Sequence, residues 1–431
     1  MSSHGHDVIV VGAGPAGLAA ACRAAECGAT VALLDENPQP GGQIWRADAR
    51  PPKGKAARWL RLAGERKVGW IAAARVFAAP APGRIILQRS SGDLELGYHN
   101  LVLATGARER FLPFPGWTLP NVMGAGGLEA LAKSGFAVRG KKVVVAGAGP
   151  LLLSVAKYLR GQGANVRLVA EQTDRSTLCR FARSLARRPG KLAEAVFLRA
   201  ALLGIPYLAE CWPVAAQGRG KLESVTLRRG GKTWSVPCDY LACGFGLVPN
   251  IELAALLGCR LGEAGVEVDE YQQTSVAGVY CAGQATGIGG LDLSLAEGEI
   301  AGYAAAGRPE AARKLFRARQ SHRRFVAALD EASAPRHELR SLPQDDTLVC
   351  RCEDVAWGPI RRFSSWREAK LQTRCGLGPC EGRVCGGAVE FLLGWKPESV
   401  RPPVFPARIE SLTEAFSDRQ SAAPVWLKAD R

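Results

Sequence analysis

Nowhere in the chain do two cysteines stand three positions apart, so the Cys-x-x-Cys pair of a dithiol redox centre is missing. Its absence argues against thiol–disulfide exchange as the catalytic step. No uninterrupted apolar run approaches the roughly 18 residues of a membrane span. The opening Met1-Ser2-Ser3-His4-Gly5-His6 has no basic stretch leading into an apolar one, so we read no secretion signal and expect a cytoplasmic protein. There are only 5 histidines, and no Ser–His–Asp or His–Glu arrangement stands out, so no general base is named and the catalytic residues stay unknown. His4 and His6 fit a metal pair or a plain leader segment. Acids are scarce too: 40 Asp and Glu against 56 Lys and Arg leave a formal charge of +16. Without a binding motif or basic runs interleaved with aromatics, that charge does not argue for nucleic acid. It suits a solvated basic surface or docking to an acidic partner. Much of it lies between Arg308 and Arg324, read as an exposed helix face or a partner surface.

What is present is chiefly α/β. The 431 residues allow two to three domains. Helical and strand patterns alternate along the first three quarters. Val8 to Val11 is an apolar strand running into Gly12-Ala13-Gly14-Pro15-Ala16-Gly17, followed by an alanine-rich helix and a second strand, Thr30 to Leu34, ending on Asp35. Strand, glycine triplet, helix, strand and acid form the βαβ dinucleotide fingerprint. Gly12 permits the turn, Gly14 lets backbone approach a pyrophosphate, and Gly17 lets helix and strand pack closely. The acid is placed to accept hydrogen bonds from a ribose. Gly41-Gly42-Gln43 follows in a loop that could come close to a cofactor.

A second unit of this kind begins at Lys142. Gly147, Gly149, Pro150 and Leu151 open its helix, and its second strand ends on Glu171. The third glycine is replaced by Leu152, so either an adenine nucleotide, ATP or NAD(P), sits here, or the unit is purely structural. An arginine-rich helical stretch, Arg180 to Arg199, and a hairpin, Leu222 to Val236, come next.

Of 13 cysteines, eight are scattered and suit core positions, while five crowd between Cys350 and Cys385. Cys350-Arg351-Cys352 and Cys375-Gly376-Leu377-Gly378-Pro379-Cys380-Glu381-Gly382-Arg383-Val384-Cys385 lie on glycine-rich turns. Four thiolates suit a [2Fe–2S] cluster or a tetrahedral zinc, and Cys-x-Cys is not a common zinc-finger spacing. We assign Cys350, Cys352, Cys380 and Cys385 as ligands, with Cys375 spare or alternate.

The order of a first fingerprint, a second, and then a strand ending in Ala282-Gly283-Gln284 resembles the two-dinucleotide-domain flavoprotein disulfide reductase fold, in which the second domain is inserted into the first. Ala104-Thr105-Gly106 and Ala282-Gly283 match its recurrent motifs, and Gln284 stands where that family usually has Asp. The resemblance implies FAD at the first site, held by Gly12, Gly14, Pro15, Ala16, Gly17, Asp35, Glu36, Gly42, Gln43, Val76, Ala104, Thr105, Gly106, Gly283 and Gln284. The tail resembles the small bacterioferritin-associated-ferredoxin-like [2Fe–2S] domain, with four residues rather than two between the last cysteine pair. Together with Gly41 to Ile44, Ala104 to Arg110, Pro113 to Trp117 and Gly287 to Gly290, it is similar to the α-type subunits of bacterial opine oxidases, of D-hydroxyproline and proline dehydrogenases, and to the equivalent component of hydrogen cyanide synthase.

This resemblance implies two Rossmann-like domains plus a small cysteine-rich domain. The expected division is an FAD-binding domain over 1–116 and 245–308, an inserted nucleotide-binding domain over 117–244, a basic helical linker over 309–346, the [2Fe–2S] domain over 347–396 and a tail over 397–431. It also implies an FAD-containing catalytic partner subunit. A small ferredoxin-like third component, and a peripheral membrane or quinone contact, are left open. Two other readings stay open: a self-contained NAD(P)H-dependent flavin oxidoreductase, and a zinc-bearing scaffold or sensor. Arg46, Arg108 and Arg110 follow the flavin-associated loops and could clamp a carboxylate or simply lie at the surface.

Overall fold

The computed structural model describes residues 5–46, 52–396 and 399–416, and it separates into two compact units. Residues up to 108, 249–326 and those from 399 form the first; 109–248 and 327–398 form the second. His4 lies outside the described residues, as do the end of the tail and part of the loop after Arg46.

The first unit is built on β1 (Gly5–Val11), α1 (Pro15–Glu26) and β2 (Val31–Leu34). Val8, Ile9 and Val10 are fully buried. Apolar side chains on both faces of a strand suit a parallel sheet covered on both sides. β1 pairs in parallel with β2 and with Leu94–Leu103, which puts it inside a seven-stranded sheet. Val279–Cys281 pairs in parallel with Leu94–Leu103, so Gly283 and Gln284 return to the same edge as the glycine turn. The helix Gly290–Ala305 lies along α1. Small residues allow this: a Cβ on Gly298 would stand 2.2 Å from the Ala16 carbonyl oxygen, and one on Gly302 2.3 Å from that of Ala20.

In the second unit, a five-stranded sheet centres on Lys142–Gly147, flanked by Asn165–Glu171 and Tyr240–Gly244. The arginine-rich helical stretch expected over Arg180 to Arg199 is made of two helices, Arg175–Leu185 and Pro189–Ala200. Proline suits the first turn of a helix, where its missing N–H costs nothing, and it breaks a helix elsewhere. Asp174 caps the first of the two, accepting from the Thr177 N–H at 2.8 Å. The cysteine-rich segment packs Val349, Ile360, Trp366 and Val389 into its own small core. Trp117 donates its indole N–H to the Leu348 carbonyl at 2.6 Å, fastening that segment within the unit.

The stretch Arg308 to Arg324 is helical but not wholly an exposed face. Arg319 is buried; its guanidinium donates to the Glu270 carbonyl and, at 3.3 Å, to Gln272 Oε1. Arg323 pairs with the buried Glu297 at 3.2 Å. Six of the eight scattered cysteines are buried, Cys27 is half-buried and Cys179 is exposed.

Candidate functional site: a glycine cradle and a cysteine cluster

Three segments converge on the first glycine turn. The Gly41 N–H donates to the Ala13 carbonyl at 2.8 Å. A Cβ on Gly42 would stand 2.9 Å from the Gly14 Cα, so the Gly41-Gly42 loop lies directly against the turn. A Cβ on Gly12 would meet the Ala104 carbonyl oxygen at 2.2 Å, and one on Gly283 would meet Ala16 Cβ at 2.7 Å. Backbone thus stands where side chains would fill the space, and the N-terminus of α1 opens toward the loop with its unpaired N–H groups. Asp35 is buried and accepts from the Ala13 N–H at 2.6 Å and the Asn37 N–H at 2.8 Å, so it braces the turn. Glu36 is half-exposed and paired with Arg75 at 3.0 Å. Val76 is buried opposite Leu87. The Thr105 hydroxyl donates to the Asn250 carbonyl at 2.6 Å, and the Asn250 side chain donates back to the Thr105 carbonyl at 2.9 Å.

Of the three arginines, Arg46 donates to Asn37 Oδ1 at 3.0 Å and Arg108 pairs with Glu252 at 2.8 Å. Arg110 is partly buried with its Nε unpartnered, and desolvation lowers its pKa.

Glu297 was not singled out from the sequence. It accepts from the Gly283 N–H at 3.2 Å and from the Thr286 hydroxyl at 3.1 Å. Burial pushes its pKa up, with Arg323 opposing the shift. The sequence did not mark it out, since Asp292 and Glu299 lie in the same helix.

At the second glycine turn, Glu171 plays the same bracing role as Asp35, accepting from the Gly149 N–H at 2.8 Å and the Thr173 N–H at 3.0 Å. Burial raises its pKa against those hydrogen bonds. The space over this turn is taken. A Cβ on Gly149 would stand 2.6 Å from the Ser333 hydroxyl oxygen. Around Ser333 the chain is tied down like a strap: Thr173 donates to the Ala332 carbonyl at 2.8 Å, Gln172 to the Ala334 carbonyl at 3.0 Å, and Arg336 to the Gln172 carbonyl at 3.2 Å. Ser333 therefore occupies the space that a second-position glycine normally leaves open for a pyrophosphate. Leu152, in place of the third glycine, is fully buried and packs against Gly244.

The five clustered cysteines divide into three and two. Cys350, Cys375 and Cys385 are buried with their sulfurs within 4.8 Å of one another. Sulfurs sharing a metal at about 2.3 Å stand about 4 Å apart, so the trio has the compactness of a ligand set. Cys352 is exposed and Cys380 half-buried, and these two lie within hydrogen-bonding reach of each other. The structure thus differs from the sequence-based set in bringing Cys375 beside Cys350 and Cys385. The reason is local: the segment turns at Arg374 in a left-handed conformation, and Cys375 enters the core formed around Trp366. Hydrogen bonds from Cys375, Cys385 and the Gly376 and Glu353 N–H groups lower the Cys350 pKa to about 2, whereas Cys375 is pushed up to about 12 and Cys385 well above its ordinary value.

The sequence profile of the pyridine nucleotide-disulphide oxidoreductase family matches residues 6–312. The HcnB component of hydrogen cyanide synthase from Pseudomonas aeruginosa is 31% identical over 420 residues, spanning 88% of this chain and 90% of that protein. The first-lettered (A-type) component of opine oxidase from Rhizobium meliloti (strain 1021) is 31% identical over 451 residues, spanning 95% of this chain and 98% of that one. Among solved structures, L-proline dehydrogenase from P. horikoshii superposes with a TM-score of 0.65 at 21% identity, over 95% of this chain and 80% of that chain. Thioredoxin reductase from T. acidophilum superposes at 0.55 and 20% identity, over 71% and 99%. The two structural likenesses speak to the fold.

Proposed function

Because the chain belongs to the pyridine nucleotide-disulphide oxidoreductase family of flavin-dependent enzymes, we propose that it is the FAD- and [2Fe–2S]-bearing subunit of a heteromeric amine or amino-acid dehydrogenase. Its substrate would be of the opine, D-hydroxyproline or proline type, oxidised at a CH–NH bond on an FAD-containing partner subunit. This is compatible with a small ferredoxin-like third component. The names of the relatives, subunits of opine oxidase and of hydrogen cyanide synthase, support it. The observation that carries it is the presence in one chain of a glycine cradle braced by a buried acid and a compact cysteine trio.

In this reading FAD lies against Gly12, Gly14, Pro15, Ala16, Gly17, Gly42 and Gln43. The α1 N-terminus faces its pyrophosphate, and Asp35 or Glu36 faces its ribose. Ala104, Thr105, Gly106, Gly283 and Gln284 border the same cradle, and Val76 backs it. Gln284 donates and accepts without bringing a charge, and the neighbouring carboxyl is supplied by Glu297. A bound flavin accepts electrons in pairs and an iron–sulfur cluster carries them singly, so together they would convert one kind of transfer into the other. For the cluster we propose Cys350, Cys352, Cys380 and Cys385 as the residues that would hold it, with Cys375 left as the buried thiol beside them. Amide N–H groups aimed at the sulfurs would raise its potential.

The strap over Gly149 weighs against NAD(P)H as the reductant. Anaerobic NADH or NADPH added to the isolated chain should leave the flavin absorbance unchanged. Substrate added to the chain with its partner subunit should bleach it. Rapid bleaching by either nucleotide alone would shift the reading to a self-contained NAD(P)H oxidoreductase. Iron and acid-labile sulfide assays decide against a zinc scaffold if they return about two irons per chain. Co-purification from the native host identifies the partner and so bounds the substrate class.

A further inference from the structure

The helix Pro189–Ala200 has no buried residue. It is attached to its unit partly through Leu202, just beyond its C-terminus, which is almost wholly enclosed. An ordinary surface helix turns its apolar stripe inward. Here the outward side is the apolar one. Leu192 is 38% exposed, Val196 60%, Phe197 59% and, just past the helix, Leu203 72%. Leu192 and Val196 are four apart, as are Ala193 and Phe197, and Ala200 follows Val196 by four. Helical geometry stacks such residues on one face, and Ala193 and Ala200 are exposed as well. The patch carries a basic border. Between residues 180 and 203 stand Arg180, Arg183, Arg187, Arg188, Lys191 and Arg199 against a single acid, Glu194. Lys157 places its ammonium 4.3 Å from the centre of the Phe197 ring, adding a cation at the apolar edge.

We propose that this face, Arg175–Leu185 followed by Pro189–Ala200 and Leu203, docks on an anionic phospholipid surface. Two chemistries are required at once, and a bilayer interface supplies both. Leu192, Val196, Phe197 and Leu203 enter the headgroup–acyl boundary while the arginines meet the phosphates. A second copy would bring two basic borders together. No helix among the described residues is long and apolar enough to cross a membrane, so the contact is peripheral. It rests on this surface alone, independently of which cofactors the chain carries.

The test is flotation of the complex with its partner subunit on vesicles of phosphatidylcholine, with and without phosphatidylglycerol. Co-flotation is expected only with the anionic vesicles and should fall as salt rises. Combining V196D with F197D should weaken it by roughly tenfold or more, since two large side chains leave the apolar phase. R183E with R187E, at exposed positions with no core contact to lose, should remove the salt-sensitive part. Unchanged flavin content and melting temperature would show that both variants are folded. Failure of the complex to float on anionic vesicles overturns the proposal. So does flotation indifferent to both variants, or loss of the partner subunit or of self-association by V196D/F197D without any lipid binding. Flavin and iron analyses are unaffected by any of these results, so the two readings fail separately.

Discussion

Gly17→Ala should yield a chain that retains no flavin and is destabilised by roughly 3 kcal/mol or more, at the upper end of what overpacking costs. The added methyl would stand 1.7 Å from the Gly12 carbonyl oxygen and 3.3 Å from the Ala104 side chain. Neither neighbour can retreat. Gly12 is held by its N–H to the Leu34 carbonyl at 2.8 Å, and Ala104 by its own to the Val11 carbonyl at 2.8 Å, both inside the buried sheet. The helix must move outward instead, carrying its N-terminus away from the turn and lifting α1 off Gly298 and Gly302. Denaturant unfolding and flavin content after gel filtration read the two effects. A matched Gly28→Ala variant, at a glycine with nothing within 4 Å, loses only the ease of a positive φ and should keep its flavin. Full flavin occupancy in Gly17→Ala would remove the first glycine turn from the site.

Cys350→Ser should lose the cluster altogether, with iron and labile sulfide falling to background and the visible absorption attributable to iron vanishing. Cys350 is the sulfur toward which Cys375, Cys385 and two backbone N–H groups are directed, and it belongs both to the proposed ligand set and to the buried trio. Cys385→Ser should do the same. The informative variant is Cys375→Ser. If Cys352 and Cys380 complete the set, it keeps its iron and loses only a buried sulfur. If the trio itself binds metal with one outer cysteine, it loses the iron and Cys352→Ser or Cys380→Ser keeps it. Iron retained in Cys350→Ser would dismiss the cluster from this segment.

The first βαβ unit was legible because its determinants are local. Glycines at fixed offsets, four apolar residues and a terminal acid are all set by short-range geometry, and β1, α1 and β2 form within a residue or a few of where they were expected. The companion segments at Ala104 and Gly283 were legible through resemblance, and strand pairing brings both to the turn. What escaped depends on contacts between residues far apart in sequence. Glu297 is held as a buried carboxyl by the Gly283–Thr286 turn on one side and Arg323 on the other. Arg319 reads as one more exposed arginine until Glu270 and Gln272 close over it. The break at Pro189 was readable, since proline starts helices more readily than it continues them, but the surrounding arginines and alanines masked it. The cysteine spacing announced a soft-ligand site, whereas the position of Cys375 depends on a left-handed turn at Arg374 that no spacing rule contains.

Ser333 above Gly149 makes the second Rossmann unit a case of competition on one chain. A nucleotide from solution must compete with a hydroxyl tethered a few residues from three anchoring hydrogen bonds. A short tether of this kind acts like a free competitor at about millimolar concentration. The apparent affinity of the turn for a nucleotide should therefore be lowered by the free energy that holds residues 332–336 in place. Any nucleotide that does bind must release residues 332–336, so occupancy of this turn and the hold on the chain leading to the cysteines are thermodynamically exclusive.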